Sequence, residues 1–79
     1  MNTEIKKTYT ATAPDGTVIT RNSKADYRFA VMCQNTNGKW VASFHTAIKH
    51  AWKQEAKDLI WMEQNAWISV VLVGTKVAA

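Results

Sequence analysis

The sequence predicts an α+β domain: a mainly antiparallel four- or five-stranded sheet carrying one amphipathic helix on one face, in the order β-β-β-β-α-β. Three observations predict it. Up to residue 45 the apolar residues recur with a period of two, broken by two turn signals, Ala13-Pro14-Asp15-Gly16 and Asn35-Thr36-Asn37-Gly38. From Ala47 the period becomes about 3.6. From Trp67 to Val73 a short, mostly apolar run follows, interrupted only by Ser69.

Each element has its own warrant. Ile5 to Thr12 is rich in Thr, Tyr and β-branched side chains and reads as strand 1. Pro14 and Gly16 supply the fixed and positive φ angles of a turn, and Thr17 to Arg21 follows as strand 2. After a polar connection, Tyr27 to Gln34 alternates as strand 3 and Lys39 to His45 as strand 4, joined by an Asn-Gly hairpin turn. A two-residue or a four-residue loop gives one and the same parity. It places Tyr27, Phe29, Val31 and Cys33 on one face with Trp40, Ala42 and Phe44. Arg28, Ala30, Met32 and Gln34 then share the other with Lys39, Val41, Ser43 and His45.

Thr46 reads as a helix N-cap. At about 100° per residue, Ile48, Ala51, Trp52, Glu55, Ala56, Leu59 and Met62 fall on one side, expected to face the core. Lys49, His50, Lys53, Gln54, Lys57 and Asp58 fall on the other, and the helix ends near Gln64-Asn65. Trp67 to Val73 is strand 5, antiparallel to strand 1 or strand 3; being apolar on both faces, it is expected to be central. The tail from Gly74 reads as partly extended. The expected core is Phe29, Val31, Trp40, Phe44, Ile48, Trp52, Leu59 and Val70.

With 79 residues, the chain is read as one domain spanning 1–79. The one cysteine, Cys33, cannot form an internal disulfide and suits a reducing compartment. The longest apolar run is too short to span a bilayer, and Met1 to Lys7 lacks the apolar stretch of a signal peptide. The expectation is a cytoplasmic domain without membrane partners.

The sequence shows no catalytic constellation. The expected register puts Cys33 and His45 on opposite faces, which excludes a Cys/His nucleophile pair. His45 and His50 have no Cys or carboxylate at ligand spacing, so no metal is expected. The six acidic residues are scattered singly, and the three glycines form no phosphate loop. No cofactor is expected, and the chain reads as a non-enzyme.

Two surfaces remain as binding candidates. A net charge of +4 with pI ≈ 9.5 draws a protein toward nucleic acid or acidic protein surfaces. On the helix, Lys49, Lys53 and Lys57 follow at i, i+4 and i+8 beside His50, and Trp61 projects about 20° from His50, away from the apolar arc. A Trp among cations is costly to leave in water and is a favoured anchor. The second candidate is the sheet face opposite the helix, with Arg28, Met32, Lys39, Val41 and His45, where a homodimer could also join.

Two resemblances rest on particular residues. The run Arg21…Ser23…Tyr27-Arg28-Phe29-Ala30-Val31, then Gly38-Lys39-Trp40-Val41-Ala42-Ser43-Phe44-His45, an Ala-rich helix and a short apolar strand resembles small accessory proteins of phages and mobile elements. Some of these inhibit host defence, anti-CRISPR proteins among them. The resemblance implies a protein that binds a host protein or ribonucleoprotein complex and inhibits a defence nuclease. Separately, Gly38-x-Trp40-x-Ala42 followed by a helix opening on Thr46 is similar to three-strand-plus-helix DNA-binding domains of the AP2-like and integrase arm-binding kind. That similarity implies a DNA- or RNA-binding module reading nucleic acid with Arg28, Lys39 and His45, although those families carry more Arg on the sheet.

Overall fold

The structure, a computed structural model, describes residues 6–78. Among them are β1 (Lys7–Thr12), β2 (Val18–Ser23), β3 (Phe29–Asn35), β4 (Trp40–His45), α1 (Ile48–Glu63), β5 (Trp67–Gly74) and β6 (Lys76–Val77). The element order is as expected, with a sixth short strand in the tail. Ile5, placed at the start of strand 1, lies outside the described residues.

The strands do not form one four- or five-stranded sheet. They form two antiparallel three-stranded sheets, ordered β2-β1-β6 and β4-β3-β5. One side of the second sheet packs on the first through Tyr9, Ala11, Ala13, Ala30, Met32, Trp40 and Phe44. Its other side meets α1 through Val31, Cys33 and Ala51, with Phe29, Ile48, Trp67, Val70 and Leu72 around them. The molecule is therefore three layers, sheet, sheet and helix, with two cores.

This layering explains why β5 is not central. It lies at the edge of its sheet, beside β3. It is apolar on both faces because the helix covers one and the other sheet covers the other. Burial on two faces reports the layers above and below a strand, not its place within the sheet. β1 shows the complementary pattern. Tyr9 and Ala11 turn inward, while Thr8, Thr10 and Thr12 point away from the core.

The register between β3 and β4 also differs by one residue from expectation. Ala30 pairs with Phe44, Met32 with Ala42 and Gln34 with Trp40. The cause is the hairpin loop. Asn35 N–H donates to Lys39 O at 2.9 Å, leaving a three-residue loop, Thr36-Asn37-Gly38, with Gly38 at φ 86°. A left-handed glycine closing a three-residue loop adds one residue to the connection and inverts the face parity. Phe29, Val31 and Cys33 consequently face the helix with Val41, Ser43 and His45. Met32 is buried between the sheets instead of lying on an open face.

The helix begins after Ala47, which makes no side-chain cap hydrogen bond, so Thr46 is not the N-cap. The helix is also rolled about a quarter turn from the expected orientation. Ala51 and Asp58 are buried, whereas Trp52 is 57% exposed and Leu59 39%. The small Ala51 lets α1 approach β3 closely, and Gln54 and Asp58 face the same side. The other expected core residues are buried or half-buried.

Two hydrogen bonds fasten the layers. Trp40 Nε1 donates to Asp15 Oδ2 at 3.0 Å, tying the β1–β2 turn to β4. Thr75 Oγ1 donates to Tyr27 O at 2.8 Å where the chain crosses from β5 to β6.

Two stability outcomes follow. Met32→Ala or Phe44→Ala should cost about 2–5 kcal/mol by denaturant unfolding, while Trp52→Ala in dilute solution should cost less than about 1 kcal/mol. A large loss in Trp52→Ala would place that ring back in the core. The second outcome concerns acid. Hydrogen bonds from Thr17, and then from Trp40, hold the Asp15 carboxyl below its ordinary value of 3.8. A depressed folded-state value means the stabilisation is present above the unfolded value and is lost as pH falls through the folded one. Asp15→Asn should lower the melting temperature at neutral pH, and the gap from wild type should narrow below about pH 4.

Candidate functional site

Two places combine polar chemistry with accessible shape. One is a cavity between α1 and the β3–β4 hairpin. The other is the outward side of α1.

The cavity has a volume of about 150 Å³ and is lined by Val31, Cys33, Val41, Ala42, Ser43, Gln54, Asp58 and Trp67. Asp58, buried, accepts a hydrogen bond from Gln54 Nε2 at 3.1 Å. Cys33 lies against it. Desolvation, then hydrogen bonding to the Asp58 carboxylate and that carboxylate's charge, push the thiol up to about 12. A thiol held protonated is neither a nucleophile nor a metal ligand. Ser43 Oγ lies 2.9 Å from His45 Nε2. The spacing i, i+2 on one strand face was the signal for this pair, and sequence reasoning missed it. Burial, then the nearby charge of His50, lower the His45 pKa against an opposing pull from Asp58.

A Ser–His pair needs a carboxylate bonded to the far ring nitrogen and an oxyanion hole to act in acyl transfer. Among the described residues, no carboxylate bonds His45, and Asp58 engages Gln54 and Cys33. Cys33 and His45 do share a face, contrary to the expected register. They nonetheless lie four residue steps apart along the ladder, about 13 Å, beyond proton-transfer reach. Trp67 Nε1 is buried without a partner. A bulge between Gln34 and Asn35 turns Trp67 to the helix side and leaves Ile68 exposed.

The sheet-face candidate is not a surface. Arg28 and Lys39 are exposed at the two ends of the hairpin, Met32 is in the inter-sheet core, and Val41 and His45 face the helix side. These five residues therefore do not share one open face, although Val41 remains 39% exposed.

The helix candidate stands in the open. Lys49, His50, Lys53 and Lys57 are exposed, and Trp61 is 51% exposed. No Asp or Glu occurs three or four residues from any of the three lysines, the spacing at which helical ion pairs form. Among the described residues the one salt bridge is Arg28–Asp26, elsewhere on the surface. The lysine row therefore keeps its charge unneutralised beside an aromatic ring.

No protein-family model matches the chain, and no curated protein or solved structure matches it either. Function must be argued from these surfaces. Among the described residues no helix is long and apolar enough to cross a membrane.

The buried thiol gives a direct check on the cavity. Cys33 should resist alkylation in the folded protein at pH 8 and react at the unmodified rate once denatured. Asp58→Ala should accelerate the native reaction by lowering the thiol pKa and opening the cavity. Rapid native labelling of the wild type would contradict this burial.

Proposed function

We propose that this chain is a non-enzymatic binding protein that engages an acidic protein surface through the cationic side of α1, with Trp61 as the anchor. The observation that carries this reading is the half-exposed Trp61 beside a lysine row that has no carboxylate of its own. Binding energy concentrates in large aromatic side chains that move from water into a partner's pocket. The charges Lys49, Lys53 and Lys57 steer an acidic partner and then form charge-assisted hydrogen bonds to it. His50 lies exposed within the same row.

The resemblance to phage accessory proteins supplies the class of partner: a host protein or ribonucleoprotein complex. Its most concrete version is the inhibition of a host defence nuclease, with the protein acting in the host cytoplasm. The cavity supports the non-enzymatic reading, since its thiol is protonated and its Ser–His pair lacks an orienting carboxylate.

Nucleic acid is the alternative partner for the same lysines, with Trp61 stacking a base. A protein surface is favoured because Ile60 lies exposed in the same outward arc, and an aliphatic side chain gains nothing against phosphates.

Trp61→Ala should leave the melting temperature nearly unchanged while weakening partner binding by about 2 kcal/mol or more, roughly thirtyfold. A photo-crosslinker in place of exposed Gln64, next to an intact Trp61 on the helix, used in nuclease-treated host lysate, identifies the partner on which that affinity is measured. In a host with an active RNA-guided nuclease, expression should protect an incoming phage, and Trp61→Ala should abolish protection. Capture that disappears on nuclease treatment, with duplex affinity falling steeply in salt, would establish the nucleic-acid reading instead.

A further inference from the structure

The roll of α1 leaves a second stripe exposed, which shares Lys49 with the lysine row and otherwise lies to one side of it. Lys49, Trp52, Ala56, Leu59 and Glu63 follow at alternating steps of three and four, the spacing of a two-helix seam. Ile60 flanks it. Trp52 is 57% exposed, Ile60 55% and Leu59 39%, and Lys49, Ala56 and Glu63 are also exposed. We infer that this seam docks a second copy of the chain, the two helices crossing antiparallel at Ala56.

Four observations select that occupant and that direction. First, the stripe is self-complementary about its midpoint. Ala56 is the smallest side chain on it and allows close approach. Trp52 lies four residues before it, and Leu59 and Ile60 lie three and four after it. A two-fold axis at Ala56 therefore lays each Trp52 against the other copy's Leu59 and Ile60.

Second, the charges match. Lys49 and Glu63 lie seven residues either side of Ala56, so the same axis sets each Lys49 opposite the other copy's Glu63. Parallel pairing would oppose Lys49 to Lys49 and Glu63 to Glu63.

Third, the helix is charged the wrong way for its own dipole. Its first turn contains no acidic residue and its last turn no basic one. Lys49 sits near the positive end and Glu63 near the negative end, an unfavourable arrangement in a lone helix. The antiparallel copy reverses it, bringing a carboxylate to each helix start and an ammonium to each helix end.

Fourth, the seam is small: Trp52 is its one large aromatic side chain, with Ile60 and Leu59 beside it, so a weak, reversible dimer is expected and not an obligate one.

On the helical projection Trp61 lies about 140° from Ala56. The dimer leaves it open beside Lys53 and Lys57 on each copy, while Lys49 turns to the seam.

Sedimentation equilibrium of the full chain over a concentration series tests this without any partner. The wild type should show a reversible monomer–dimer equilibrium. Ala56→Glu, at an exposed helical position, should raise the dissociation constant by about tenfold or more by opposing two carboxylates at the crossing. Lys49→Glu and Glu63→Lys should each weaken association, while the double variant should restore it, and so should an equimolar mixture of the two single variants. Circular dichroism checks that each variant is folded. A chain that stays monomeric into the millimolar range would overturn the inference. So would a dimer indifferent to Ala56→Glu, or one that the double variant fails to restore. Neither result bears on Trp61, whose partner binding is read separately.

Discussion

Ala30, Val31, Met32 and Cys33 are buried in succession, so β3 has no wet side. It is paired along both edges, by β4 and by β5, and covered on both faces, by the β2-β1-β6 sheet and by α1. Every other element is positioned by the need to cover this strand. A chain of 79 residues cannot bury a thick core. Placing one strand between two thin cores lets modest side chains, mostly Ala, Val and Met near the centre, exclude water on both sides. Aromatic side chains fill the core between the sheets, where buried Tyr9 meets Tyr27 edge to face at 5.5 Å and Arg21 lies over Tyr27 at 5.6 Å.

The second core is unusual in its chemistry. The helix offers it Ala51, Gln54 and Asp58 in place of Trp52 and Leu59. A buried carboxylate is tolerable only when donors surround it. Gln54 provides one from the same helix, and the Cys33 thiol shares the same cavity from the sheet side. These contacts fix the roll of α1 more specifically than an apolar face would. The cost of that choice is visible outside, where the apolar arc faces solvent and the lysines lie to one side of it. The polar cavity and the exposed seam are two consequences of a single helix orientation.

Most of the element order was legible in the sequence because it rests on local chemistry: alternation, Pro-Asp-Gly and Asn-Gly turns, and the change of period at Ala47. Assembly was less legible. The parity of the β3–β4 hairpin depended on whether Gly38 closes a three-residue loop, and Asn-Gly is compatible with several loop lengths. The roll of α1 was missed because the apolar arc was assumed to turn inward, while Asp58 carries no sequence signal that it is buried. Trp61 was legible as an outward residue because its projection falls among cations under either orientation. The sheet-face residues were not, since one slipped residue moved Met32 into the interior and turned Val41 and His45 beneath the helix edge.

The short strand β6 pairs with β1 through Thr10 and Lys76, 66 positions apart in the chain. Closing so long a loop has an entropic cost that is recovered only after the segments between have collapsed. During synthesis β1 therefore keeps one bare edge until β6 arrives. The hairpin β1–β2 can form early, but its sheet cannot be completed early. For that interval the nascent chain presents an unpaired, threonine-rich edge, the kind of edge on which neighbouring chains pair by mistake. Lys7, at the start of β1, places a charge beside that edge while it waits.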